Sequence, residues 1–452
     1  MSENQYTELY RECKELICRN SNEVMNAKRD QAMTLFEQMG FPSRKVERFK
    51  YTDVEQAFAP DYGLNLSRLE IPAKVEDVFK CDVPNLSTQL AFVINDTPQP
   101  SGPFKQQFGT FDTDNHGIYV GSLDQAAKER PDLVGKYYAQ AADMEHDAVA
   151  ALNTALCQDG LFVYVPKSRC MEKPLQIINL LRSDVDMMIN RRVLIVLEEN
   201  AEATLLFCDH AMDNNNFLAN QVVEVFCGED SRLDMYELEE THLKCKRFSS
   251  LAIRAQRGAH VSHNSITLFN GLTRNTTDVR LEGEYAEVKL NGCVVADKNQ
   301  HVDNNTLIDH QAGRCDSKEL YKYVVDDKAV GAFAGKILVR PNAQKTTSQE
   351  TNANLCASDE ARMFTQPMLE IYADDVKCAH GSTVGVLDRN ALFYMQQRGI
   401  PEQEARMLLK FAFVGQVIDE IQLAPLRERL HYLVEKRFRG ELNKCTGCAL
   451  CK

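Results

Sequence analysis

Along the first sixty residues, apolar side chains recur every three or four positions. Tyr6, Leu9, Tyr10, Cys13, Leu16 and Ile17 mark one amphipathic helix. Asn20, with Glu23 three residues on, reads as the N-cap of a second helix carrying Val24, Ala27, Ala32, Leu35, Phe36 and Met39. Gly40 followed by Pro42 stops that helix. Its stripe is thin where Lys28 and Gln31 fall near the same face. Residues 60–150 have mixed patterning, apart from a short helical run from Asp147 to Leu156.

Between about residue 160 and 390 the helical period vanishes. Short β-rich runs alternate apolar and polar positions, break at a Gly, Asn or Asp, and resume. These corners fall near Asn200, Gly228, Gly258, Gly283, Gly313, Asn342 and Asp374, at intervals of 25 to 32 residues. A period of that size, built from strands with almost no helix, points to a β-solenoid in which each coil pairs with the coils above and below. The spacing is too long for hexapeptide left-handed coils and suits a right-handed parallel β-helix. A β-sandwich with turns at similar intervals is the competing architecture.

Helices return after residue 390. Pro401 starts one that carries Ala405, Leu408, Leu409, Ala412, Phe413, Gln416, Val417, Glu420 and Ile421, with Phe411, Val414 and Ile418 widening the apolar surface. A helix apolar on most sides has to be covered on most sides, by the solenoid or by another chain. The following helix, Leu426 to Phe438, is basic on its outer face. The expected fold is therefore mainly β. A right-handed parallel β-helix (β-solenoid) over 151–390 is flanked by an N-terminal helical and mixed domain, 1–150, and a C-terminal helical domain, 391–440. A Cys-rich tail, 441–452, follows.

Composition narrows the function classes. A net charge of −13 argues against a nucleic-acid or anionic-membrane partner. No apolar run is long enough to span a membrane, and the first twenty residues lack a signal-peptide core, so a cytoplasmic location is expected. Fifteen cysteines, odd in number and irregular in spacing, suit reduced thiols rather than a disulfide framework. No P-loop, dinucleotide fingerprint or nucleophile elbow occurs.

Three groups could carry chemistry. In VKCAHGSTVG, Cys378 and His380 lie two apart on a strand, so they share a face with Val376. A thiol and an imidazole make half of a soft-metal site, although either residue also serves as packing in such a strand. The chain closes on KCTGCALCK. Cys445, Cys448 and Cys451 there have ferredoxin-like C-x-x-C-x-x-C spacing without its fourth Cys. Asp297, Asp303, Asp309, Asp316, Asp326 and Asp327 flank the Gly313 corner. They could form the carboxylate groove of a polysaccharide lyase or hydrolase, or simply shape corners.

Long segments carry a family resemblance. AVAALNTALCQDGLFVYVPK (148–167), EKPLQII (172–178) and the block 315–385 from CDSKELYKYVVDD through KCAHGSTVG, then FYMQQRGI, are similar to the SufB/SufD family of iron–sulfur cluster assembly proteins. GFPSRKVERFKYTDV (40–54) and KCAHGSTVG resemble the SufD branch more than SufB. Ser168 stands where the family often has Gly, and the Cys-rich tail lies outside the family pattern.

The resemblance implies a right-handed parallel β-helix and a non-enzymatic subunit of a SufB–SufC–SufD scaffold. SufB pairs with it at the β-helix ends. The ATPase SufC docks on the C-terminal helices, where Leu408, Leu409, Phe413 and Val417 are the expected contacts. His380, with Cys378 beside it, matches the position implicated in handling transient iron or a nascent iron–sulfur cluster at the SufB interface. A reduced flavin in the complex is left open. A homodimer is expected for the isolated chain, and a SufB-like scaffold holding its own cluster on the tail cysteines is the alternative.

Overall fold

The computed structural model describes residues 3–71, 83, 86–100, 108–111 and 117–441. Two amphipathic helices, α1 (Glu3–Arg19) and α2 (Glu23–Met39), open the chain. The cap of α2 is Asn22, not Asn20. Asn22 precedes the first helical residue, and its side chain accepts from the Met25 N–H, whereas the Asn20 amide donates to the Leu66 carbonyl instead. Gly40 ends α2 at a φ of 60°. A short α3 (Val54–Phe58) follows.

The region of mixed patterning holds three short strands, β1 (Gln89–Ile94), β2 (Thr97–Pro100) and β3 (Tyr119–Ser122). It also holds α4 (Leu123–Glu129), α5 (Pro131–Tyr137) and α6 (Ala148–Leu156). Asp147 caps α6, accepting from Val149 and Ala150 N–H.

The solenoid begins at β4 (Leu161–Val165). It continues through β5 (Leu175–Leu181), β6 (Met187–Leu197), β7 (Glu202–Ala211), β8 (Phe217–Cys227), β9 (Arg232–Glu240), β10 (Cys245–Ala255) and β11 (His260–Phe269). Then come β12 (Leu272–Leu281), β13 (Glu287–Ala296), β14 (His301–His310), β15 (Asp316–Val325), β16 (Val330–Val339), β17 (Thr347–Cys356), β18 (Arg362–Ile371) and β19 (Lys377–Val386).

Odd-numbered strands stack in one parallel sheet and even-numbered strands in the other. Each of about eight coils therefore has two long strands and two corners. Side-chain hydrogen bonds between adjacent coils link residues 26 to 32 positions apart, one coil length, which is the sequence period. β1 with β2, and β3, extend the two sheets at the N-terminal end.

All seven corners anticipated from sequence lie on one edge of the solenoid, between an even strand and the next odd one. Asn200 and Gly258 take the left-handed conformation themselves, but Asp230, Tyr285, Arg314 and Lys345 take it at the neighbouring corners. Gly228 and Gly313 are there for another reason. A β-carbon at 228 would lie 2.7 Å from the Glu198 carbonyl carbon, and one at 313 would lie 2.7 Å from the Gln344 carbonyl oxygen. Adjacent coils approach too closely at these points for a side chain.

Three apolar layers hold the molecule. The lumen is filled by inward residues such as Val193, Leu205, Val225, Ile253, Val279 and Phe333. The helices α1 to α6 cover the outer face of the even sheet at its early coils, through Phe58, Phe162, Leu194 and Phe248. Three last helices, α7 (Arg389–Gln397), α8 (Glu402–Ile418) and α9 (Ala424–Phe438), complete the chain. From these, Val414, Val417, Ile418, Leu430 and Val434 cover the outer face of the odd sheet with Leu206, Leu238, Val295 and Leu320. Strands buried on both faces explain why MMINRRVLIVL reads as a near-continuous apolar run rather than an alternation: all eleven residues of β6 are buried.

Candidate functional site

The last coil lacks this cover. No residue of β18 or β19 is buried. β19 pairs with β17 on one side and forms the outer edge of its sheet, as β18 does in the other. Val384 and Val386 face the lumen row yet are 50% and 70% exposed, because no further coil lies above them. The solenoid thus ends in an open, partly apolar face.

Cys378 and His380 sit on that face, in the inward-facing row as their spacing requires. Cys378 packs with Val376 against Ile337, Val339 and Ala343. Its neighbours in register are Ser348 and, one coil further in, Ser317. The Ser317 and Ser348 hydroxyls are 2.6 Å apart, and His310 Nε2 lies 2.9 Å from the Ser317 hydroxyl. A hydrogen-bonded file of His310, Ser317 and Ser348 therefore ends beneath the thiol. Burial holds the His310 imidazole down at about 4, so this end of the file is neutral. Burial also pushes the Cys378 thiol up, with a Ser348 backbone contact opposing it. As a thiol rather than a thiolate, Cys378 is a weak ligand until something lowers that value.

His380 is exposed, and the residues in register beneath it are Glu350 and then Glu319. Both carboxyl groups are 1% exposed and face the lumen. Sequence reasoning passed over them. The signal was present: SKE at 317–319, SQE at 348–350 and CAH at 378–380 are one triplet repeated at one place on successive coils. Among the described residues, no three of His, Cys, Asp and Glu come together as a metal site. Cys378 and His380 are an incomplete pair, and Cys445, Cys448 and Cys451 lie outside the described residues.

The expected docking residues are spread around α8. Val417 is buried against the odd sheet, Leu409 and Phe413 are partly buried on the same cluster, and Leu408 is exposed. Lys322 lies over the Phe413 ring, 4.5 Å from its centroid, and donates to the Phe413 carbonyl and the Gln416 side chain. Phe393 and Tyr394 of α7 are each 60% exposed. The helical unit thus presents an aromatic face outward while its other side grips the solenoid.

The acidic residues around Gly313 do not gather into a groove. Asp297 pairs with Arg437, Asp303 with Arg274, Asp309 with Arg340 and Asp326 with Lys410. Asp327 accepts from the Lys298 backbone, and Asp316 is a strand residue on the outer face. These are ties between elements and between coils.

Comparison with known proteins agrees with this architecture. Residues 180–413 match the family described as "SUF system FeS cluster assembly, SufBD core domain", and residues 1–177 match the "SufBD protein N-terminal region". An iron–sulfur cluster assembly SufBD family protein of Synechocystis is 26% identical over 440 residues, covering 93% of each chain. The iron–sulfur cluster assembly protein SufD of Escherichia coli is 27% identical over 411 residues, 89% of this chain and 90% of that one. The Bacillus subtilis SufD is 26% identical over 336 residues, 72% and 74% of the two chains. The matched regions take in the N-terminal helices, the solenoid and most of α8, and with them the open last coil that carries Cys378 and His380: the chain belongs to the SufBD family of iron–sulfur cluster assembly proteins.

Proposed function

We propose that this chain is a SufD-like, non-catalytic subunit of a scaffold on which iron–sulfur clusters are assembled, and that its open last coil is the face that meets a SufB-type partner. The observation that carries this reading is the incomplete pair. Cys378 and His380 lie in the inward row of an uncovered coil with no third ligand of their own. A tetrahedral iron or cluster site would draw its remaining ligands from the facing subunit. Iron and nascent cluster are cargo here, held transiently at the joint.

The outward face of α7 and α8 would receive a SufC-type ATPase. Because α8, α9 and the turn between them clamp the odd sheet through contacts of Lys318, Lys322, Lys410 and Arg437, a displacement of the docked ATPase would move the solenoid with them. In this scheme the nucleotide chemistry belongs to the partner, and His380 and Cys378 contribute ligand atoms.

Anaerobic co-expression with SufB- and SufC-type partners tests the reading. His380→Ala should leave the complex intact, since the residue is exposed and bonded to nothing that holds the fold. It should lower the iron and acid-labile sulfide that co-purify. Unchanged iron in the variant would remove His380 from the site, and failure of the wild type to recruit either partner would overturn the assignment.

A further inference from the structure

Between α2 and α3 the chain runs as a strap along the outer face of the even sheet, and it reaches as far as the last coil. Thr52 donates to Asp303 at 2.6 Å, and Arg48 donates to Asn305 at 2.8 Å and pairs with Asp278. The Arg274 guanidinium lies over the Phe49 ring and donates to the Arg48 carbonyl at 2.6 Å. These contacts anchor the strap on β12 and β14. Tyr51 extends it to β18. Its ring stacks on Phe364, with centroids 4.9 Å apart and planes 18° apart, and its hydroxyl donates to the Gln366 side chain at 3.3 Å. Gln366 in turn donates to Glu47 at 2.9 Å.

The register turns these contacts into a bridge. Asp303, Ala332 and Phe364 form one column across β14, β16 and β18, and Asn305, Ala334 and Gln366 form the next but one. The strap grips both ends of both columns, strands about 10 Å apart. The middle residue of each column is a buried alanine, so no large side chain stands in the way. Beyond this bridge the last coil is weakly held. Its strands bury no residue, and each pairs with a neighbour on one side alone. The terminal coil of a stacked array is the first to open.

Phe364 and Gln366 flank Thr365, whose hydroxyl turns inward. It lies 2.6 Å from the Ser382 hydroxyl of β19 and donates to Asn352 at 2.8 Å. Ser382 follows His380 by two residues in the inward row. A line of contacts therefore runs from the strap through β18 to the strand that carries Cys378 and His380.

We infer that the strap is a latch: Tyr51 and Glu47 lock the last coil onto the earlier ones, so the N-terminal helical unit governs the order of the open end. Tyr51 and Gln366 are positioning residues in this device, acting through Thr365 and Ser382. With the latch released, β18 and β19 would fray together and take the Cys378–His380 pair with them. The use of that order in pairing rests on the function proposed above, but the latch itself does not.

Hydrogen exchange of the full chain, read by mass spectrometry on peptides from β18 and β19, tests the latch without partner or cargo. Tyr51→Ala should speed exchange there about tenfold, the factor expected for one lost ring stack and hydrogen bond, while β4 to β14 keep wild-type rates. Gln366→Ala should act in the same direction from the other side. Tyr51→Phe keeps the stack and should restore most of the protection. Unchanged exchange in both alanine variants would overturn the inference. So would a rise spread evenly along the chain, which would make the strap ordinary packing. Adding a SufB-type partner should restore protection of β18 and β19 in Tyr51→Ala. Protection that appears elsewhere instead would refute the last coil as the joint and leave the latch standing, so the two proposals fail separately.

Discussion

Arg437, near the end of α9, closes on Asp297 in a solenoid corner with two hydrogen bonds, of 2.6 and 2.7 Å. The same guanidinium donates to the Leu268 carbonyl and to Gln300, and lies over the Phe269 ring at 5.1 Å. One side chain thus joins the C-terminal helices to two coils. Asp297 is partly exposed, which discounts the pair relative to a fully buried one. Arg437→Ala should still cost about 2–3 kcal/mol, since it strands buried acceptors as well as a charge. The loss should appear as faster hydrogen exchange in α8 and α9 while the early coils stay protected. Exchange that rises evenly along the chain, or nowhere, would show that this contact is not what holds the helices.

At the other end, Arg192 and Glu224 form an ion pair in which both side chains are wholly buried. Glu224 also accepts from the Ala139, Ala141 and Ala142 backbones, and Arg192 donates to Thr154. Burial raises the Glu224 carboxyl, but Arg192 and these N–H groups outweigh it, so the net shift is downward and the pair stays charged. Glu224→Gln should cost about 3–5 kcal/mol, because it leaves Arg192 buried without its counter-charge. The double change to apolar residues of similar volume should recover much of that. A chemical denaturation series on the three variants measures it, and additive losses would mean the two residues act independently.

Glu239 gives stability a pH dependence of predictable sign. Burial pushes its carboxyl up to about 7, against the pull of Arg247 and the Thr273 hydroxyl. The unfolded chain releases that proton near pH 4.3. Between about pH 4.3 and 7 the folded state holds a proton the unfolded state has lost, so stability falls as pH rises through this window. The slope is about 1.4 kcal/mol per pH unit for one proton fully retained. Glu319 acts in the same direction, whereas His310, held neutral down to about 4, works oppositely below about pH 6.5. Comparison with Glu239→Gln isolates the residue of interest: its Tm should fall less than wild type between pH 5 and 8. Parallel curves would assign the proton elsewhere.

Much of this was legible in the sequence, for reasons particular residues show. The coil period could be read because one corner of each coil concentrates Asn, Gly and Asp, as at Asn200 and Gly258. The opposite corners, such as DNNN (213–216), NG (270–271) and DKNQ (297–300), are rich in Asp, Asn and Gly as well, yet each coil's second corner was passed over. Cys378 and His380 share a face because strand alternation dictates it. The Glu319–Glu350 column needed one further step, placing SKE, SQE and CAH in register, which only a two-strand coil justifies. Contacts such as Arg437 to Asp297, 140 residues apart, leave no local trace at all. The basic face of that last helix reads as solvated surface until the solenoid corner beneath it is seen. Asn20 and Asn22 are equally good caps by residue type, and the first helical residue decides between them.

The open last coil should govern association. Val384 and Val386 are inward-row residues at 50% and 70% exposure, flanked by an edge strand whose outer backbone groups meet no further coil. Edges of this kind pair with other chains unless charge or cover prevents it. A glutamate at 384 or a lysine at 386 would face solvent in the monomer, so Val384→Glu and Val386→Lys should change folding stability by no more than about 0.5 kcal/mol. Within an interface the same charges would be buried without partners and should block pairing. Sedimentation of the isolated chain should then show self-association for the wild type and a monomer for either variant. Co-purification with a SufB-type partner should fall in parallel. Leu408→Glu, on the exposed side of α8, should leave both unchanged and reduce only capture of the ATPase. If Val384→Glu still associates as the wild type does, the contact lies elsewhere on the molecule, and the last coil is an uncovered end rather than a joint.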